Sequence, residues 1–163
     1  MLPVKVLFLC TGNSCRSQMA EGLLRHIGKA AVEVASAGTR PQSVHPRAIR
    51  AMAEIGVDIS GQRSKAVEEF LDQQFDYVIT LCDDARESCP VFATAAQRLH
   101  WGLPDPALVQ GTEEQIMAAF RTVRDSLSRH VCQLLEEIFA SVLEELSRSS
   151  SADSADASLL RTL

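Results

Sequence analysis

The chain has 163 residues, enough for one domain with its own hydrophobic core and too few for two domains of ordinary size. Hydrophobic residues make up 46% of it and the mean hydropathy is +0.02, as in globular proteins, and no apolar run approaches the roughly 20 residues of a membrane-spanning helix. The net charge of −5 argues against nucleic acid as a partner, and the odd number of cysteines, five, argues against a secreted disulfide framework, so we expect a cytoplasmic protein with catalytic or redox thiols.

The chain begins with an apolar run that ends abruptly in a polar loop. Residues 4–9 are predicted to form a buried strand, and residues 17–27, with apolar positions at helical spacing, a helix. The loop between them precedes the first amides of that helix, which have no intrahelical partners and carry the positive end of the helix dipole. A loop in this position is predicted to bind an anion.

Cys10 opens this loop and Arg16 closes it, in a Cys-x5-Arg pattern. The arginine can bind two oxygens of a tetrahedral oxyanion, and a thiol beside a guanidinium at a helix N-terminus favours the reactive thiolate form. Ser17 is placed to donate a further hydrogen bond to the Cys10 sulfur. The predicted oxyanion-binding loop consists of Thr11, Gly12, Asn13, Ser14, Cys15, Arg16 and Ser17. A Cys-x5-Arg pattern alone is weak, and its position between a strand and a helix favours the catalytic interpretation.

The middle of the chain alternates strands with helices. Further strands are predicted at 32–38, 75–81 and 97–101. A helix starts at Pro46, with Ile49, Met52 and Ala53 on its apolar face, and Ser64 is predicted to cap a short helix over 65–71. This order predicts an α/β fold with a parallel sheet, whose ligands bind at the carboxyl ends of the strands. Cys10 and Cys82, which both follow strands, should therefore lie at the same edge of the sheet.

Cys82 and Cys89 frame a polar segment that is predicted to be a short helix or a loop. A helix rises about 1.5 Å per residue, so the two cysteines would lie roughly 10.5 Å apart along its axis. A disulfide needs Cα atoms within about 4.4–6.8 Å, so the pair could bond only if the segment unwound. The alternative is two unrelated, partly buried thiols.

The last part of the chain has one further candidate site residue and a long helix. Asp105 lies between two prolines after the last strand, where it should face the edge that holds Cys10. Thr112 and Gln115 predict a capping box, and apolar positions then keep helical spacing for about thirty residues, or roughly 45 Å. We expect a catalytic domain over 1–146 and a disordered, low-complexity tail over 147–163.

The residues at 10–17 resemble the phosphate loop shared by low-molecular-weight tyrosine phosphatases and thioredoxin-coupled arsenate reductases, and the resemblance extends over residues 4 to about 132. It implies a four-stranded parallel sheet in flavodoxin-like order with helices on both faces, and a long C-terminal helix. For both enzyme classes it implies attack by Cys10 on an oxyanion held by Arg16, with Asp105 as the general acid. The expected ligands are arsenate and other tetrahedral oxyanions such as phosphate and sulfate.

Two features favour the reductase over the phosphatase. Cys82 and Cys89 have the spacing of the reductase's second and third thiols, which pass a disulfide to thioredoxin as external reductant. The phosphatases place aromatic residues after the Asp-Pro of the acid loop, where this chain has Ala107 and Leu108. We predict an arsenate reductase with weak phosphatase side activity, the alternatives being a tyrosine phosphatase and a non-enzymatic oxyanion or redox sensor.

Some members of the reductase family bind potassium beside the loop. Asn13, Glu21 and Ser36 match three of the ligands, but Lys65 stands where an aspartate is expected. We hypothesise that the Lys65 ammonium takes the place of the cation; the alternative is a solvated lysine. No metal ion and no tightly bound cofactor are expected. We expect a monomer, with dimerisation through the long helix as the alternative.

Overall fold

A computed structural model describes residues 2–88, 95 and 97–159, and for residues 88 and 151–159 it describes the backbone alone. The strands are β1 (Val4–Cys10), β2 (Val32–Gly38), β3 (Tyr77–Thr80) and β4 (Gln97–His100). The α-helices are α1 (Arg16–Gly28), α2 (Pro46–Ala53), α3 (Asp83–Ser88) and α4 (Glu113–Leu159). Short 3₁₀ turns cover Lys29–Ala31, Val67–Phe70 and Pro106–Leu108.

The four strands form one parallel sheet in the order β2-β1-β3-β4. The predicted sheet and its flavodoxin-like order are thus confirmed. In the register of the sheet Cys10 lies opposite Gly38, and Thr80 lies opposite both Leu9 and His100. The carboxyl ends of all four strands therefore meet at one edge, and the loops that follow them converge there.

Side chains alternate across β1 and fill a core on each face of the sheet. Leu7 and Leu9 belong to a buried cluster that includes Val67 and Phe70 from the 3₁₀ turn between α2 and β3. Phe8 points to the opposite face, where its ring centroid lies 5.6 Å from that of Trp101. The Trp101 ring in turn lies 4.9 Å from that of His130 in α4, so both faces of the sheet are covered.

The two helices that follow long loops begin with side-chain caps. His45 caps α2 by accepting the amide of Arg47 at 3.1 Å, with Pro46 in the first turn as predicted. At the start of α4, the Thr112 amide donates to Gln115 Oε1 at 2.9 Å and the Gln115 amide donates to Thr112 Oγ1 at 3.2 Å. The predicted capping box is confirmed.

Two local predictions differ from the structure. The buried face of α2 consists of Ala48, Ala51 and Met52, whereas Ala53 is exposed. Residues 48, 51 and 52 share one face of the helix, and this face is turned inward, where the Ala51 carbonyl accepts a hydrogen bond from buried Arg124 of α4 at 2.9 Å. Ser64 caps no helix, because its hydroxyl donates to the Asn13 carbonyl at 2.6 Å instead.

The chain divides into two compact units, residues 1–131 and 132–163. The first contains the sheet and every element up to the first part of α4, and within the second α4 continues to Leu159. The described backbone of residues 147–159 is helical, and Ser147, Ser149 and Ser150 donate to carbonyls three residues earlier, while the expected disorder of the tail stays a prediction. The expected domain boundary at residue 146 stays a prediction. Among the described residues no helix is long and apolar enough to cross a membrane.

Candidate active site

The loop at 10–17 turns its carbonyl groups toward the segment that follows β2. The carbonyls of Thr11, Gly12 and Ser14 accept hydrogen bonds of 2.8–3.0 Å from the amides of Arg40, Gln42 and His45. In a trans peptide the next amide points the opposite way, so the N–H groups of residues 12, 13 and 15 point away from that segment. This loop, the loop that carries Asp105 and the start of α3 together line a cavity of about 570 Å³.

Asn13 holds the loop in shape from within the protein. It is fully buried and has a positive φ of 45°, a conformation that asparagine tolerates better than most residues. Its Nδ2 donates to the hydroxyls of Ser17 and Ser36, each at 2.8 Å. Its Oδ1 accepts from the Lys65 amide at 2.8 Å and from Gln18 Nε2 at 3.0 Å. Every polar atom of this side chain is used to fix the loop.

Cys10 ends β1 with its sulfur 2.9 Å from Ser17 Oγ. Because Ser17 Oγ already accepts a hydrogen from Asn13, its own hydrogen is free to be donated to the sulfur. A hydroxyl that donates to sulfur stabilises negative charge there. The predicted contact between Ser17 and Cys10 is therefore present, in the direction that favours a nucleophile.

Arg16 is the first residue of α1 and lies almost entirely inside the protein. Its Nη1 donates to the Leu103 carbonyl at 2.9 Å, and its Nη2 lies 3.4 Å from Asp105 Oδ2. Its Nε is buried and has no hydrogen-bond partner within the part of the chain that the structure describes. A buried donor without a partner is costly, and a tetrahedral oxyanion in the cavity would supply one.

Asp105 lies at the edge predicted from the sequence, beside Arg16. It also begins the 3₁₀ turn Pro106–Leu108, because its Oδ1 accepts the Ala107 amide at 2.9 Å. Its loop is anchored to the end of β3 by the amides of Trp101 and Leu103, which donate to the carbonyls of Thr80 and Leu81 at 2.8 and 3.1 Å. The carboxyl group can therefore reach a leaving oxygen, although its role as the general acid stays a prediction.

Cys82 reaches the same cavity as Cys10. Its sulfur lies 3.4 Å from Thr11 Oγ1 and accepts the Ala85 amide of α3 at 3.4 Å. The sequence prediction that both thiols share one edge of the sheet is confirmed. Cys89, the predicted third thiol, lies outside the described residues. The segment between them begins as the helix α3, one of the two forms expected.

The two remaining cysteines have different surroundings. Burial raises the pKa of the Cys15 thiol to about 12, so this sulfur stays protonated at neutral pH although it lies in the loop. Cys132 is exposed on α4. Neither thiol has surroundings like those of the Cys10 thiol.

The predicted cation site forms one hydrogen-bonded cluster. Ser36 Oγ accepts from Asn13 and donates to the Glu21 carboxylate, which also binds Arg25. Lys65 Nζ lies 3.4 Å from Oε2 of that carboxylate and donates to the Arg63 carbonyl at 2.8 Å. The Lys65 side chain is only 11% exposed, which contradicts a solvated lysine. The described residues contain no cluster of three or more His, Cys, Asp or Glu that could hold a metal ion.

Sequence reasoning gave no role to Gln42 and His45, which line the cavity. The His45 ring packs on Phe120 with 5.0 Å between centroids, and its burial lowers its pKa below the ordinary value. Pro46 marks the preceding residue as a helix cap, and that signal was available in the sequence. The convergence of the 40–45 segment on the loop was not, because it depends on tertiary hydrogen bonds.

Comparisons with known proteins agree with this geometry. Residues 5–148 match the sequence model of the low molecular weight phosphotyrosine protein phosphatases. An arsenate reductase of Halalkalibacterium halodurans is 46% identical over 126 residues, which cover 77% of this chain and 91% of that protein. The solved structure of an arsenate reductase in the phosphate-binding state superposes with a TM-score of 0.72 at 40% identity, covering 83% of this chain and 98% of the other. A thioredoxin-dependent arsenate reductase of Corynebacterium glutamicum superposes with a TM-score of 0.67 at 31% identity, covering 85% and 64%.

Proposed function

Because this chain belongs to the low molecular weight phosphotyrosine protein phosphatase family, with arsenate reductases among its relatives there, we propose that it reduces arsenate to arsenite. The observation that carries the proposal is the second thiol in the cavity. Cys82 lies within 3.4 Å of the hydroxyl of Thr11, the residue next to Cys10. A phosphatase needs only the first thiol, the arginine and an acid.

The first step uses the residues of the loop. The Cys10 sulfur attacks arsenic, and Asp105 gives a proton to the departing oxygen, which leaves as water. Arg16 and the loop amides bind the remaining oxygens and stabilise their charge. The product of this step is a covalent Cys10–arsenic(V) adduct.

The second step reduces arsenic. The Cys82 sulfur attacks Cys10, and the electron pair of the sulfur–arsenic bond stays on arsenic, which departs as arsenite. The two thiols have then supplied two electrons and are joined as a Cys10–Cys82 disulfide. Cys89 attacks Cys82 and frees Cys10, and an external dithiol, for which we propose thioredoxin, reduces the Cys82–Cys89 disulfide. This reductant is consistent with a cytoplasmic location, where thiols are kept reduced.

The structure also supports weak hydrolysis of aryl phosphates as a side reaction, because the first step is common to both chemistries. A dedicated tyrosine phosphatase is less favoured. Beside Asp105 and Pro106 stand Ala107 and the exposed Leu108 rather than the aromatic side chains that bound a phosphotyrosine cleft.

The test is NADPH oxidation in the presence of arsenate, thioredoxin and thioredoxin reductase. Sustained turnover is expected for the wild type and for the control Cys132→Ser, whose thiol is exposed on α4, and loss of turnover for Cys10→Ser, Cys82→Ser and Cys89→Ser. Hydrolysis of an aryl phosphate that requires Cys10 alone, without any arsenate turnover, would instead identify a phosphatase. Stoichiometric thiol oxidation without turnover would identify a sensor.

A further inference from the structure

His100 has no part in the relay, yet both nitrogens of its ring have partners. It ends β4, and its Nδ1 lies 2.8 Å from the hydroxyl of Thr80 at the end of β3. Its Nε2 lies 3.1 Å from Oδ1 of Asp83, the first residue of α3. The imidazole thus connects two strand ends to a helix start, and we call these three residues the Thr80–His100–Asp83 bridge.

The Asp83 carboxylate fixes the position of one hydrogen of the ring. A carboxylate only accepts, so Nε2 carries a hydrogen and donates it to Asp83. In the neutral ring Nδ1 is then an acceptor, and the Thr80 hydroxyl donates to it. The other contact of that hydroxyl, with the Leu99 carbonyl, is longer at 3.4 Å. The neutral ring therefore makes both short contacts of the bridge.

The Thr80–His100–Asp83 bridge lies next to Cys82, the residue that precedes Asp83. The Cys82 sulfur accepts the amide of Ala85, which lies in the first turn of α3, and Cys82 is only 8% exposed. Asp83 also forms an ion pair with Arg86, at 3.5 Å, and Arg86 belongs to α3 itself. Of these two contacts of Asp83, only the one with His100 ties the first turn of α3 to the sheet.

We propose that His100 is a positioning residue for the second chemical step. Through Asp83 it holds the first turn of α3 so that the Cys82 sulfur stays beside Thr11 and faces Cys10. This inference rests on the proposed function, since only a reductase uses Cys82. The first step needs no such restraint, because Cys10 and Arg16 are held by the loop and α1.

Two substitutions of one residue separate the contacts of the ring. In His100→Asn the side-chain amide lies near the former position of Nδ1. The amide oxygen can still accept the Thr80 hydroxyl, but no group remains to donate to Asp83. In His100→Gln the amide reaches the position of Nε2 and keeps that donor. Asp83→Ala removes the same contact from the other side, at an exposed position where the substitution leaves the core unchanged.

The second step is measured by single turnover with arsenate in a Cys89→Ser background, where the reaction stops at the Cys10–Cys82 disulfide. Because the Asp83 side chain is 73% exposed, solvent weakens its contact with His100, and we expect this rate to fall by about fivefold in His100→Asn and in Asp83→Ala. His100→Gln should keep most of the wild-type rate. The double variant His100→Asn/Asp83→Ala should be no slower than either single variant, because both substitutions remove the same contact. Aryl phosphate hydrolysis, which of the three relay thiols uses only Cys10, should stay within about twofold for both His100 variants.

Equal losses in both reactions would overturn the proposal, since they would mean that His100 merely supports the whole site. An unchanged single-turnover rate would overturn it as well. If the wild type reduced no arsenate, the proposed function would fail, but the bridge could still be tested by alkylation of Cys82 with iodoacetamide in a Cys10→Ser background. Loss of the bridge should then raise the alkylation rate by about fivefold, and an unchanged rate would show that it does not hold Cys82.

Discussion

Single hydroxyl groups at the loop have roles that depend on which neighbour they face. Ser17 and Ser14 are close in sequence, but Ser17 Oγ contacts the Cys10 sulfur at 2.9 Å, whereas Ser14 Oγ donates to the Ser43 carbonyl at 2.8 Å. The first contact touches the nucleophile and the second only ties the loop to its neighbour. The two positions form a matched pair for a test of the first step.

We predict that Ser17→Ala slows both arsenate reduction and aryl phosphate hydrolysis. A hydrogen bond to a charged group contributes about 1.5–3 kcal/mol, so kcat should fall roughly tenfold to a hundredfold. Ser14→Ala is the control and should change kcat by no more than about threefold, because it removes a peripheral hydrogen bond. Steady-state kinetics with both substrates measures this, and equal effects of the two substitutions would contradict the assigned contact.

Lys65 leads to a prediction about cations. With its ammonium 3.4 Å from the buried Glu21 carboxylate, the wild type should have the same melting temperature in potassium and in sodium chloride. Lys65→Ser would leave that carboxylate without this cation, and the variant should be less stable and should gain melting temperature in potassium more than in sodium. The control is Lys5→Ser, which removes an exposed partner of Glu33.

Differential scanning calorimetry in matched ionic strength is the measurement. A potassium-specific rise in the wild type would refute the hypothesis that the ammonium replaces the ion. A response of Lys5→Ser as large as that of Lys65→Ser would show that the effect is general to the surface.

At the level of elements, the end of β2 and the loop approach so closely that only glycine fits. A Cβ on Gly38 would lie 2.6 Å from the Thr11 carbonyl oxygen and 2.9 Å from the Asn13 nitrogen, and both are backbone atoms. Neither can move without changing the loop, because the Arg40 amide donates to the Thr11 carbonyl and the Lys65 amide donates to the Asn13 side chain.

We therefore expect Gly38→Ala to lower activity by at least about tenfold and the free energy of unfolding by roughly 1–3 kcal/mol, as for overpacked cores. Gly61→Ala is the matched control, since nothing lies within 4 Å of the position that a Cβ would take there and its φ is not in the left-handed region. Urea denaturation and arsenate turnover measure the two effects. Similar results for both glycines would show that the strand end and the loop are not tightly packed.

The sequence predicts elements best where one physical signal is strong. The apolar run before Cys10, the proline at the start of α2 and the Thr112–Gln115 pair each specify a local structure, and each is found. The carboxyl-end rule then predicts that Cys10 and Cys82 share one edge, which is also found. These inferences need only local pattern and the topology of parallel sheets.

The features that the sequence did not predict have a common physical cause: residues far apart in sequence form hydrogen bonds that replace the local ones. Ser64 has the right residue type for a cap, but the Asn13 carbonyl takes its hydroxyl. The residues next to His100 in the sequence give no sign of its contacts, which are made with Thr80 and Asp83. Hydrogen bonds between residues far apart in sequence leave no periodic signal, so a single sequence does not reveal them.

At the scale of the whole molecule, the site and the far end of α4 belong to different units. All described site residues lie within 1–131, whereas the second unit begins at Cys132. The family match runs past this boundary but stops before the last residues, because it covers residues 5–148. The chemistry should therefore not depend on residues beyond those that the relatives share.

A chain that ends at Leu146 tests the proposed domain boundary. The described side chains that this removes, those of residues 147–150, are exposed, so none of them is taken from a core, and arsenate turnover and the free energy of unfolding should stay within experimental error. Sedimentation equilibrium of the full and shortened chains distinguishes the proposed monomer from pairing through the exposed Phe139, Leu143 and Leu146. A self-associating full chain that becomes monomeric on shortening would assign assembly to the tail, whereas a fall in turnover would place part of the catalytic domain beyond residue 146.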